Sequence, residues 1–195
     1  MNGGSQIRAA TPNRAQNTRA LIICALVAAL IVLAKQFFHF PLRIPGHSGI
    51  FWMALLVIGR GAAGHRYAGT LIGIVSGILA IALVPNSLGL LTWVKYLAPG
   101  MTVDILGLFT ATRFDDPLVG ALVGTIANLA KLAAGTILAL LLGLPAGFLV
   151  VGIGVATVTH VLFGALGGFL GALVLRRLRF ALASHDTGGS NGVSR

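Results

Sequence analysis

Residues 117–142 read PLVGALVGTIANLAKLAAGTILALLL. The run exceeds the roughly 20 apolar residues that carry a helix across a bilayer core, and its only charge is Lys131. Its period is helical: Gly120 and Gly124 fall four residues apart, while Thr125, Asn128 and Lys131 fall three apart, so each set shares a face. An apolar cylinder with one narrow polar stripe belongs in a membrane, with the stripe turned toward protein or water.

Outward from this helix, further apolar runs occupy 20–35, 48–63, 67–84, 96–112 and 146–175. The expected fold is therefore all-α, a polytopic membrane protein with six transmembrane helices in one bundle over 19–179. The flanks, 1–18 and 180–195, are polar or Gly/Ser/Asn-rich and read as disordered cytoplasmic ends. Segment 48–63 is short and closes on Gly59-Arg60-Gly61, so a re-entrant or tilted course is an alternative to a full span. Gly143-Leu144-Pro145 joins the last two runs as a tight turn. Composition agrees: 56% of the 195 residues are hydrophobic and 9% charged, and the mean hydropathy is +0.94, against about 25% charged residues in soluble domains.

The formal net charge of +10 would suggest nucleic acid in a soluble chain, but here the basic residues flank apolar runs. With the N-terminus inside, Arg8, Arg14, Arg19, Arg60, Arg66, Arg113, Arg176, Arg177, Arg179 and Arg195 fall on the cytoplasmic side. Lys35, Arg43 and Lys95 fall outside. That bias places both termini in the cytoplasm. A cleaved signal is the competing reading of the first run, yet no small-x-small site closes it and the residues before Cys24 do not suit lipidation. Cys24 is the single cysteine, so an intrachain disulfide is excluded.

Asp104, Asn128, Lys131 and His160 fall within spans, where each needs a partner or a cavity. Two readings stay open. Asp104 and Lys131 form a buried structural pair with Asn128 as a helix contact, or the same groups floor a polar cavity. His160 is either an interhelical hydrogen-bonding group or a ligand contact. The first external connector, FHFPLRIPGHSGIFW at 38–52, is stiffened by Pro41 and Pro45. In it Arg43, His47 and a helix-capping Ser48 would face an electron-rich substrate over the helix N-terminus. The alternative is a headgroup-level belt of Phe38, Phe40, Phe51 and Trp52. Small residues at four-residue steps, Gly69, Gly73 and Gly77, then Gly164, Gly168 and the neighbouring Gly167 and Gly171, mark close helix packing.

The chain has no glutamate, no GxxxxGK[ST] loop and no nucleophile-elbow context, which argues against metalloprotease, P-loop ATPase and hydrolase chemistry. His39 and His47 alone do not make a metal site. No enzymatic activity, cofactor or metal is expected.

Over residues 19–179 the chain resembles the substrate-binding S component of an energy-coupling factor (ECF) transporter. The resemblance rests on six spans in under 200 residues, cytoplasmic termini, a long first external loop, and the AxxxA-type face of Ala25-Leu26-Val27-Ala28-Ala29. It implies that Ala25, Ala28 and Ala29 dock on a membrane coupling protein, and that external loops close over a vitamin-like or metal-ion substrate. It also implies that separate ATPase subunits drive release as the S component reorients in the lipid bilayer. The substrate set is then Arg43, His47, Ser48, Asp104, Asn128, Lys131 and His160. A self-contained secondary transporter or channel, and a structural or assembly membrane protein, are the other classes open.

Overall fold

The structure is a computed structural model that describes residues 14–37, 47–83, 89–110, 113–143 and 145–188. Among the described residues it is all helical: α1 (Arg14–Phe37), α2 (Gly49–Ala63), α3 (Ala68–Leu83), a 3-10 turn at Gly89–Leu91, α4 (Thr92–Phe109), α5 (Pro117–Leu141) and α6 (Ala146–Gly188). Each expected run is one helix, with ends shifted by a few residues. Two helices run further than expected. α1 begins at Arg14, inside the stretch read as a disordered terminus, and α6 continues past Leu175 to Gly188, into the stretch read as a disordered tail.

Three helices are long and apolar enough to cross a membrane, over Arg14–Gln36, Pro117–Leu141 and Gly152–Leu182. α2 and α3 are apolar but shorter, with 15 and 16 residues. Large apolar side chains point outward on the long helices, with Leu26 61%, Leu122 63% and Leu162 56% exposed. A water-soluble protein rarely exposes so continuous an apolar surface, whereas lipid solvates it without cost.

The order of packing follows the small residues. α5 lies on α6, α3 on α4, and α2 touches all five other helices. At the α5–α6 seam, a methyl group built on Gly120 would meet the Gly168 carbonyl at 2.5 Å, and one on Gly164 would meet the Gly124 carbonyl at 2.7 Å. At the α3–α4 seam, methyl groups built on Gly69 and Gly73 would meet the carbonyls of Gly100 and Tyr96 at 2.6 and 2.7 Å. Gly171 meets the Ala54 carbonyl of α2 at 2.7 Å in the same sense. The glycine spacing visible in the sequence is thus what lets the backbones touch.

On α1 the inward row is Ala20, Cys24 and Ala28. The Cys24 thiol points at the Ala68 carbonyl, 3.8 Å away, and the Ser76 hydroxyl at the Ala28 carbonyl, 3.5 Å away. Ala28 is fully buried against α3, which removes it from the expected docking face. Ala25 is exposed and Ala29 half-buried.

Enlarging a glycine in the α5–α6 seam forces the two backbones apart. Gly168→Val is expected to destabilise the detergent-solubilised protein by about 1–3 kcal/mol or more, read as a lower unfolding midpoint. Gly152→Ala, where a methyl group meets nothing within 4 Å, is expected to leave the midpoint unchanged.

Candidate functional site

The polar residues separate into two clusters at different levels of the bundle. The first is built on Asp104. Its Oδ1 lies 2.8 Å from Arg60 Nε and accepts from the Gly69 N–H at 3.0 Å, while Oδ2 accepts from the Thr70 N–H at 2.6 Å and the Thr70 hydroxyl at 2.7 Å. Gly69 and Thr70 belong to the first turn of α3, so a carboxylate from α4 caps the α3 N-terminus, where unpaired N–H groups and the helix dipole favour negative charge. The Arg60 Nε–H is not aimed along a hydrogen-bond axis to that oxygen, so the contact is chiefly an ion pair. The guanidinium also stacks 5.2 Å from the centre of the buried Phe114 ring in the α4–α5 turn.

This arrangement corrects the expected Asp104–Lys131 pair. Arg60 was read as a cytoplasmic loop charge, yet it is 2% exposed. Its row explains why: Trp52, Leu56 and Arg60 fall four residues apart and all three are buried. Asp104 therefore belongs to a structural cluster, not to a cavity floor shared with Lys131.

The second cluster lies near the start of α2, about 12 Å along the helix from Arg60 at 1.5 Å per residue. Lys131 of α5 places its ammonium 3.9 Å from the centre of the Trp52 ring. Trp52 packs on Tyr96 with ring centres 4.6 Å apart and planes tilted by 43°. The Tyr96 hydroxyl accepts from Lys35 Nζ at 3.1 Å, and the same ammonium sits 5.3 Å from the Tyr96 ring centre. Lys95 crosses α5 beside Gly135, one turn beyond Lys131; a methyl group built there would lie 3.5 Å from Lys95 Cε and 3.9 Å from its Nζ. Pro99 adds a local feature, since it lacks the N–H that would bond the Lys95 carbonyl one turn earlier.

These are the only three lysines of the chain; Lys35 and Lys131 lie against the Tyr96 and Trp52 rings, and Lys95 lies against α5 one turn from Lys131. Lys35 and Lys95, read as external loop charges, instead lie within α1 and α4. A cation against an indole face gains on the order of 1–2 kcal/mol when desolvated, and the rings form a rigid wall.

The remaining expected site residues divide as follows. Asn128 is fully buried; its Nδ2 donates to the His160 carbonyl at 2.9 Å, and its Oδ1 has no hydrogen-bond partner among the described residues. Gly49, the first residue of α2, makes room for it, since a methyl group there would lie 2.6 Å from Asn128 Nδ2. His160 is buried, and its Nδ1 lies 2.7 Å from the Ala156 carbonyl, so that nitrogen carries the proton. Asn128 thus joins α5 to α6 through the His160 carbonyl, while the His160 ring bonds within its own helix. Thr125 donates to the Ala121 carbonyl of its own helix at 2.8 Å, which removes it from the polar stripe. Ser48 precedes α2 with helical backbone angles and makes no side-chain cap, contrary to expectation. His47 stands just before it, half-buried. Arg43 lies outside the described residues. Among the described residues there is no group of three or more metal-ligating side chains.

Comparison of the chain with family models, with curated proteins and with solved structures gives no match.

Removing one partner of the Asp104 cluster should be costly and removing both less so. Arg60→Met leaves a buried carboxylate without its cation and is expected to cost about 3–5 kcal/mol. Asp104→Asn in the same chain is expected to recover part of that loss, measured as the coupling energy of a double-mutant cycle on unfolding midpoints.

Proposed function

We propose that this chain is the substrate-capture membrane subunit of an ECF-type importer. In this reading six helices cross the cell membrane of a prokaryote as one bundle, with both termini in the cytoplasm. A small polar, vitamin-like molecule is captured from outside and released inside by a separate coupling protein and its ATPases. The observation that carries the reading is the placement of Lys35 and Lys131 against the adjoining Tyr96 and Trp52 rings, with Lys95 against α5 one turn from Lys131, at the end of the bundle where the 38–46 connector joins α1 to α2. Charges at this depth in an apolar bundle are expensive to keep and typically serve a solute.

Each part then has a task. The lysines bind the solute, Trp52 and Tyr96 hold Lys131 and Lys35 in place, and Arg43 and His47 are further contacts proposed for it. The Arg60–Asp104 cluster and the glycine seams keep the bundle rigid beneath the site. On α1, Ile22, Ala25 and Leu26 form an exposed face suited to the coupling protein. The alternating burial along that helix supports one face for the bundle and one for lipid or a membrane partner.

Orientation is checked in a Cys24→Ala background: His47→Cys is expected to react with a membrane-impermeant thiol reagent from outside, and Arg66→Cys only after the membrane is opened. The tagged chain, purified from its host, is expected to bring down an ATPase-bearing coupling complex and to support uptake only with it. Full transport by the isolated chain in liposomes would replace this reading with a self-contained transporter.

A further inference from the structure

The proposed capture role leaves open what kind of solute the site takes, and the placement of charge narrows it. The chain has four acidic residues. Asp104 is bound to Arg60 and the first turn of α3. Asp115 and Asp116 are engaged by Arg179 at 2.8 Å and Arg113 at 3.7 Å, and Asp186 falls in the last turn of α6. Thus the three carboxylates with known partners are all held by arginines away from the lysines. Among the described residues Lys131 meets the face of Trp52 and Lys95 packs beside Gly135, with no carboxylate paired to either.

Lys95 and Lys131, two like charges with no carboxylate paired to either, raise the energy of the bundle until a counter-charge enters. A chloride would offset one charge. Three lysines carried by separate helices, α1, α4 and α5, suit instead one molecule that carries several anionic oxygens. Lysine is also the side chain for this task, as a point charge on a flexible stem that adapts to a carboxylate or phosphate without imposing the planar fork of arginine. The Tyr96 hydroxyl accepts from Lys35 and keeps its own proton to donate, which adds a fourth donor at the same place.

We infer that the solute is a small polyanion, a molecule with two or more carboxylate or phosphate charges, bound between Lys35, Lys95, Lys131 and the Tyr96 hydroxyl with Trp52 as the wall. The inference rests on the capture reading for its biological sense, but the binding chemistry belongs to the isolated chain. A neutral or cationic vitamin does not fit the site.

The test uses the full chain in lipid nanodiscs at constant ionic strength, with citrate, pyrophosphate, acetate and choline as probes. Citrate or pyrophosphate is expected to bind about tenfold or more tightly than acetate, and whichever binds better identifies carboxylate or phosphate as the favoured group. Lys95→Met and Lys131→Met are each expected to weaken that binding about tenfold. Without ligand, both variants are expected to unfold at an equal or higher temperature than the parent, because one of two like charges has gone. Equal affinity for acetate and both polyanions, preference for choline, or polyanion binding untouched in both variants overturns the inference. So does a lower unfolding temperature in both, which marks the lysines as structural. Capture of an ATPase complex by a chain that binds choline would leave the transport reading standing and remove this one; polyanion binding without any such complex would do the reverse.

Discussion

The carboxylate of Asp104 holds three helices and a turn together. It comes from α4, caps the first turn of α3, and draws the Arg60 guanidinium of α2 into a position where it also covers Phe114. A buried ion pair seldom adds much net stability, because desolvation offsets attraction. Here the carboxylate also satisfies backbone donors that would otherwise be orphaned in an apolar medium, where no water can replace them. The pair therefore sets geometry, fixing where α2 ends relative to the start of α3. With that end of α2 held, its other end, carrying Trp52, is positioned beneath Lys131 and Tyr96.

The glycine seams complete this fixing. α5 and α6 approach through Gly120, Gly124, Gly164 and Gly168, and α3 and α4 through Gly69, Gly73 and Gly100. Close backbone contact brings Asn128 within reach of the His160 carbonyl. The same seam fixes the rotation of α5 that turns Lys131 toward α2. Packing and polarity thus act in sequence: small residues set helix rotation, and rotation decides which polar side chains meet.

Much of the helical layout was legible in the sequence, because the apolar runs are long and the glycine steps are regular. What was not legible was which charges meet. Lys35, Arg60 and Lys95 sit near the ends of apolar runs, where linear reading treats a charge as a loop residue. Arg60 is buried and Lys35 and Lys95 are half-buried because each lies inside a helix that packs on its neighbours. The four-residue row Trp52, Leu56 and Arg60 was the available sign that the arginine points inward. The expected Asp104–Lys131 pair failed because depth along two different helices depends on their relative offset, which composition does not encode. Ser48 failed as a cap because the chain enters α2 already in helical conformation. Of the expected solute contacts, Lys131 retains a place in the lysine cluster, whereas Asn128 serves the α5–α6 contact and the His160 ring bonds within α6. Trp52 was read only as an interfacial residue, and Tyr96 only as the start of a span.

The shortness of α2 has a consequence for the surrounding lipid. Its 15 residues rise about 22 Å, less than the roughly 30 Å of a bilayer's hydrocarbon layer. An isolated helix of that length would thin the membrane around it. α2 instead touches all five other helices, so the mismatch is carried within the protein. In the proposed topology at least one end of α2 stops inside the hydrocarbon layer, surrounded by its neighbours rather than by lipid. A polar or charged side chain near that end then meets protein instead of headgroups, where the lower local dielectric makes each charge count for more.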